Sequence, residues 1–161
     1  MQKISITRLC GLLPIAAFSL VTIGFSAPAT GAAGQRGKPP GLRKLVAQHA
    51  AQHRIPPKLA HAVVTLESGY RSHIIHKGNY GLMQVRLGTA RAMGFRGKPR
   101  QLLNPDTNLH YGMAYLTRAW HSSRRNICRT IKRYRTGTPQ GRMTRATLVY
   151  CAKAKRLMAL R

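Results

Sequence analysis

Between residues 42 and 161, apolar side chains recur at helical spacing, and proline and glycine cut the recurrence into separate pieces. Leu42, Leu45, Val46, His49 and Ala50 make the first stripe. The "RIPP" at 54–57 ends it, and Pro57 suits the first turn of a second helix, where a missing backbone N–H leaves nothing unpaired. Leu59, Ala62, Val63 and Leu66 line that helix, and Ser68 and Gly69 mark its end. A third piece begins with "TARAM" at 89–93 and stops at Gly94, before a basic surface loop, "RGKPR", at 96–100.

The strongest helix start is "LNPDTNLHYGMAYLTRAW" at 103–120. Asn104 can cap, Pro105 fits the first helical position, and Asp106 sets a negative charge in the first turn. Leu109, Gly112, Met113, Leu116 and Trp120 then share a face. Ile127, Cys128, Ile131 and Tyr134 predict a fifth helix, "TGTPQG" a turn, and Leu148, Val149, Ala152 and Leu157 the face of a last helix begun after Thr144. Between Tyr70 and Arg86, Gly78, Asn79 and Gly81 stand amid Ile74, Ile75 and Val85, which predicts a loop or short irregular β element. The fold class is therefore mainly α with a short β-like region, and a length of 161 residues without internal repeats implies one domain.

Residues 1–33 read as a signal peptide. Lys3 and Arg8 begin it, an apolar run follows, and small residues place the expected cleavage near 29–33. A membrane anchor competes with this reading, but Pro14, Ser19, Thr22 and Gly24 interrupt the run. Cys10 stands before the run rather than at its end, which does not fit a lipoprotein site. Residues 34–41 read as a linker and 42–161 as the folded domain.

Lysine and arginine number 28 against two acids, a formal charge of +26. Loss of Lys3 and Arg8 leaves about +24, far more than solubility needs, so an anionic partner is expected. For an exported chain that means wall polymers or lipid surfaces. No zinc-finger spacing, basic zipper or RNA-binding aromatic motif supports nucleic acid as a partner. In an oxidising compartment Cys128 and Cys151 are expected to pair, with two buried thiols as the alternative.

The sole glutamate, Glu67, follows Leu66 at the end of the second helix and faces the glycine-rich stretch. Unpaired carbonyls and apolar neighbours there would both raise its pKa, as a general acid needs, while the surrounding cations oppose this. From position alone, a solvated helix-end glutamate and a proton-holding acid both fit.

"TLESGY", "GNYGLMQV", "GTARAMGF", "LLNPDTNLHYGMAYL" and "KRYRTG", in this order and spacing, resemble the soluble lytic transglycosylase (SLT) domain of the lysozyme superfamily, from about Leu45 to Tyr150. The resemblance implies a lysozyme-like fold and cleavage of the β-1,4 bond between N-acetylmuramic acid and N-acetylglucosamine in peptidoglycan, without net addition of water. Glu67 matches the catalytic acid and base, and Ser68 the serine that helps arrange the site. Gly81, Leu82, Met83 and Gln84 match the loop lining the substrate groove. Asn108 and Tyr115 match the following helix motif, whose tyrosine reads equally as core. Tyr134 matches a tyrosine close to the acid, whereas Arg135 stands where the family has asparagine.

Glycosidases ordinarily flank the scissile bond with two carboxylates, and this chain owns only Glu67 and Asp106. Asp106 is accounted for at a helix start, so a single-carboxylate mechanism is expected, in which the substrate's N-acetyl group assists and a 1,6-anhydro product forms. His49 and His53, spaced i, i+4, and His73 and His76 lack companion ligands, so neither a metal site nor any cofactor is expected. The arginines from Arg118 to Arg145 read as a polymer-binding surface or a solvated helical one. Small members of the family serve envelope-spanning secretion, pilus or flagellar machines, which makes such a machine an implied partner. The alternative to a periplasmic or secreted enzyme is a non-catalytic cationic peptidoglycan-binding protein of the same fold.

Overall fold

The computed structural model describes residues 41–160 except Pro139. The expected signal peptide and all but the last residue of the expected linker lie outside the described residues. Six α-helices and a small sheet follow in order: α1 (Leu42–Gln52), α2 (Pro57–Ser68), β1 (Ile75–His76), β2 (Asn79–Tyr80), β3 (Val85–Arg86), α3 (Leu87–Ala92), α4 (Pro105–Ser122), α5 (Ile127–Thr136) and α6 (Arg145–Ala159). A 3-10 helix, Pro99–Leu103, precedes α4.

The helix boundaries follow local chemistry. Pro57 opens α2, and Gly69 closes it in the left-handed region at φ 57°, its N–H donating to the Thr65 carbonyl at 3.0 Å. Asn104 caps α4 by accepting from the Thr107 N–H at 3.0 Å. Thr144 caps α6 in the same way, through the Thr147 N–H at 3.2 Å.

The core forms where α4 meets α1, α3 and α5, and where α2 meets α1 and α6. Leu59, Val63, Leu82, Met83, Leu109, Met113 and Leu116 are all fully buried there. Each such side chain contributes roughly 1.5–3 kcal/mol of burial. The three strands pair antiparallel in the order β1-β2-β3, with Ile75 opposite Tyr80 and Asn79 opposite Arg86.

Three expectations are corrected. Helix α3 begins at Leu87 rather than inside "TARAM". The basic loop is cut short at Pro99, because the 3-10 turn buries Leu102 completely and Gln101 Oε1 accepts from the Lys98 N–H at 2.6 Å. Helix α6 keeps Leu157 of its predicted face against the core but turns the rest outward: Thr147, Cys151 and Ala154 are buried, whereas Leu148 and Val149 remain 53% and 47% exposed. The reason is the disulfide between Cys128 of α5 and Cys151, with Cα atoms 5.3 Å apart, which turns the Cys151 side of α6 inward. The expected cysteine pairing thus holds and overrides the more apolar stripe. Among the described residues no helix is long and apolar enough to cross a membrane.

Candidate active site

Glu67 lies in the last turn of α2, where the chain must stop being helical at Gly69. Its side chain forms part of the wall of a cleft of about 450 Å³, together with Gln84, Arg86, Tyr115, Tyr134 and Arg135 among others. From α6, the Tyr150 hydroxyl donates to Glu67 Oε1 at 2.9 Å. Burial raises the pKa of Glu67 above the ordinary carboxyl value, while the Tyr150 hydrogen bond and the Arg135 charge pull against it, and the upward push prevails. Burial, the Glu67 charge and the shared hydrogen bond all raise Tyr150, so the phenol stays a donor at any working pH. Arg135 lies over the Tyr150 ring, its guanidinium carbon 4.9 Å from the centroid.

The wall facing Glu67 is built by the turn between β2 and β3. Gly81 adopts φ 67°, and a Cβ there would sit 2.6 Å from Asn108 Nδ2 and 2.8 Å from the Leu102 carbonyl. Only glycine combines that conformation with that closeness. The fully buried Asn108 side chain ties the turn to the 3-10 helix: Oδ1 accepts from the Met83 N–H at 2.8 Å, and Nδ2 donates to the carbonyls of Tyr80 and of Leu102 in that helix, both at 2.7 Å. Tyr134 adds a bond from its hydroxyl to the Met83 carbonyl at 2.7 Å. Gly112 of α4 leaves room for Met83, whose sulfur would be 2.5 Å from a Cβ at that position. Gln84 then emerges in the left-handed region at φ 47°, its Nε2 donating to the Gly81 carbonyl at 2.9 Å. A non-glycine residue held there is strained, and the bonds around it supply the constraint.

Of the residues expected at the site, the structure brings Glu67, Gln84 and Tyr134 together on the cleft wall. Leu82, Met83 and Asn108 are fully buried and offer a sugar no surface, and Gly81 is buried with them. In this arrangement Asn108 draws the turn onto α4 through its bonds to the Met83 N–H and the Tyr80 carbonyl. Ser68 is also buried, its hydroxyl donating to the Val64 carbonyl at 3.2 Å, so it tightens the end of α2. Sequence reasoning missed Tyr150 as the partner of Glu67. It left Tyr115 open between site and core; its ring meets that of Tyr134 at 5.4 Å on the wall.

Asp106 lies elsewhere, against a separate cavity with Phe95, His110 and Tyr111. Its side chain is 72% exposed, and Oδ1 pairs with Nε2 of buried His49 at 2.8 Å. His49 and His53 stack at 6.4 Å, and His110 meets His53 at 5.6 Å. Among the described residues no group of three or more His, Cys, Asp or Glu is arranged to hold a metal ion.

The family model described as "Transglycosylase SLT domain" matches residues 44–149. This chain belongs to that family. It is 36% identical over 81 residues to the endo-type membrane-bound lytic murein transglycosylase A of Enterobacter sp. (strain 638), an alignment covering 45% of this chain and 40% of the relative. The chain thus spans less than half the length of the curated relatives it matches. Two solved structures share its fold. The 70-kDa soluble lytic transglycosylase of Escherichia coli aligns with TM-score 0.55 at 23% identity, covering 71% of this chain and 19% of that one. An inactive mutant of the lytic transglycosylase Slt of Pseudomonas aeruginosa aligns with TM-score 0.55 at 21% identity, covering 72% and 21%. The lysozyme-like, mainly α fold expected of an SLT domain is therefore the one present. The match begins at residue 44 and ends at 149, one residue before Tyr150, so the partner of Glu67 stands just beyond its last matched position.

Proposed function

We propose that this SLT domain is a peptidoglycan lytic transglycosylase that works with one carboxyl group. The observation that carries the proposal is the separation of the chain's two acids: Glu67 is half-buried in the cleft with its pKa raised, and Asp106 is exposed and paired with His49 at another cavity. A second flanking carboxylate, as two-acid glycosidases require, does not exist in this sequence.

Tyr150 donates to Oε1, which leaves Oε2 as the oxygen that carries the proton toward the cleft. Protonated Glu67 gives that proton to the glycosidic oxygen as the C1–O bond breaks, and the substrate's own N-acetyl carbonyl stabilises C1. The carboxylate so formed is steadied by the Tyr150 hydroxyl, then takes the proton of the muramyl C6 hydroxyl while that oxygen bonds to C1. One bond breaks, one forms, Glu67 regains its proton, and no water is consumed. The product end is a 1,6-anhydro sugar.

The disulfide supports action in an oxidising compartment, and the reading of residues 1–33 as a signal peptide extends this to export into the periplasm or beyond. As the finer part of the proposal, the enzyme opens strands locally where an envelope-spanning machine passes. Assembly of that machine should then depend on Glu67. The central test is mass analysis of products released from purified sacculi: anhydro ends are expected, and reducing ends would replace this mechanism by hydrolysis.

A further inference from the structure

We infer that Arg135, together with Arg86 of the β3 wall, forms a subsite for a carboxylate carried by the glycan substrate beside the scissile bond. This rests on the lytic transglycosylase reading above and adds to it a charge requirement on the substrate.

Both arginines are exposed and line the same cleft as Glu67. Among the described residues neither forms a salt bridge: Asp106 pairs with His49 at another cavity, and Glu67, whose carboxyl feels the Arg135 charge, is hydrogen-bonded to Tyr150 instead. Arg86 is oriented by a neutral partner, its Nε donating to Asn79 Oδ1 at 3.3 Å. Arg135 is held over the Tyr150 ring, its guanidinium carbon 4.9 Å from the centroid. Among the described residues its guanidinium donates no hydrogen bond, and its N–H groups match the two oxygens of a carboxylate. The resemblance sets a neutral asparagine at this position, so the cation is a property of this chain.

Peptidoglycan strands offer that group in two forms: the lactyl carboxylate of muramic acid where no peptide is attached, and the carboxylates of the stem peptide. Engagement also bears on the proton. Arg135 is the cation that pulls Glu67 toward ionisation. Pairing with a substrate carboxylate neutralises that pull, so Glu67 keeps its proton when a strand is seated.

Binding separates this inference from catalysis. The full chain carrying Glu67→Gln, in which cutting is slowed by at least about a hundredfold, is titrated calorimetrically with peptide-free strands and with peptide-bearing strands. Each is used with its carboxylates intact or converted to neutral methylamides. Charge-assisted hydrogen bonds predict about tenfold tighter binding of the intact form. Preference in the peptide-free arm names the lactyl group, and preference confined to the other arm names the stem. The added substitution Arg135→Gln should remove most of the preference, and Arg135→Lys should restore part of it. Arg91→Gln, which changes an exposed arginine of α3 outside the cleft wall, should leave it intact. Equal binding of intact and neutralised strands in both arms overturns the subsite. So does a preference that survives Arg135→Gln, or one that Arg91→Gln reduces as much, which would assign it to the overall positive charge. Failure of the enzymatic reading would show separately, as a wild-type chain that releases no anhydro product.

Discussion

The two acids occupy opposite ends of helices, and the contrast explains their fates. Asp106 stands in the first turn of α4, where the helix field favours a negative charge, and its carboxylate is open to water with His49 as partner. Glu67 stands in the last turn of α2, where unpaired carbonyls and burial both disfavour ionisation. The first arrangement stabilises a fold. The second keeps a proton available at a cleft, at the expense of stability near neutral pH.

Substitution at the two positions gives the widest separation. Glu67→Gln should lower turnover by about a hundred- to ten-thousandfold, the usual worth of a positioned proton donor, whereas Asp106→Asn should leave kcat within about threefold. Release of anhydromuropeptides from sacculi measures both, and comparable losses would break the contrast. Stability should move the other way. A carboxyl held above its ordinary value binds more protons folded than unfolded, so it loses stability as pH rises from the ordinary carboxyl range through the folded value. Glu67→Gln should therefore raise the melting temperature at pH 7, with the gain shrinking near about pH 4.

Next in size is the disulfide, which ties α5, carrying Tyr134 and Arg135, to α6, carrying Tyr150, across a separation of 23 residues. Replacement of both Cys128 and Cys151 by serine should cost about 3 kcal/mol, read from the urea midpoint. The Glu67 region should suffer more than the Asp106 corner, whose helices α1 and α4 carry no cysteine.

Tyr150→Phe removes a bond that lowers the Glu67 pKa, so the group shifts upward. Because the reaction begins with protonated Glu67, the fall in rate on the alkaline side of the pH profile should move to higher pH. The maximum rate should drop by about tenfold as the emerging carboxylate loses a donor. A limb that moves to lower pH would sink the assigned role of Tyr150. The smallest expected effect belongs to Asp106→Asn, a loss of about 1 kcal/mol in folding free energy from the helix end and the His49 bond.

How much of this was legible in the sequence differs along the chain. Pro57, Gly69, Asn104, Pro105 and Thr144 announced their helix ends because caps are local events, decided within a few residues. The face of α6 was not legible from hydropathy, since Leu148 and Val149 outweigh Thr147 and Ala154 on any apolar scale yet stay exposed. Cys151 carried the missing signal: its expected bond to Cys128 already required that side of α6 to face α5, and would have brought neighbouring Tyr150 toward the cleft.

By itself the sequence determined the helical pieces, the single candidate acid, the family motifs and the excess of positive charge, because each is a property of spacing or composition. Tertiary structure decided which motif residues reach the cleft and which support it. Gly81 and Met83 share the motif of Gln84, and Asn108 that of Tyr115, but Gly81, Met83 and Asn108 are buried while Gln84 and Tyr115 reach the wall with Tyr134. It also decided that Glu67 meets Tyr150, which lies 83 residues away, since a hydrogen bond between distant segments depends on how helices pack and leaves no local trace in either one.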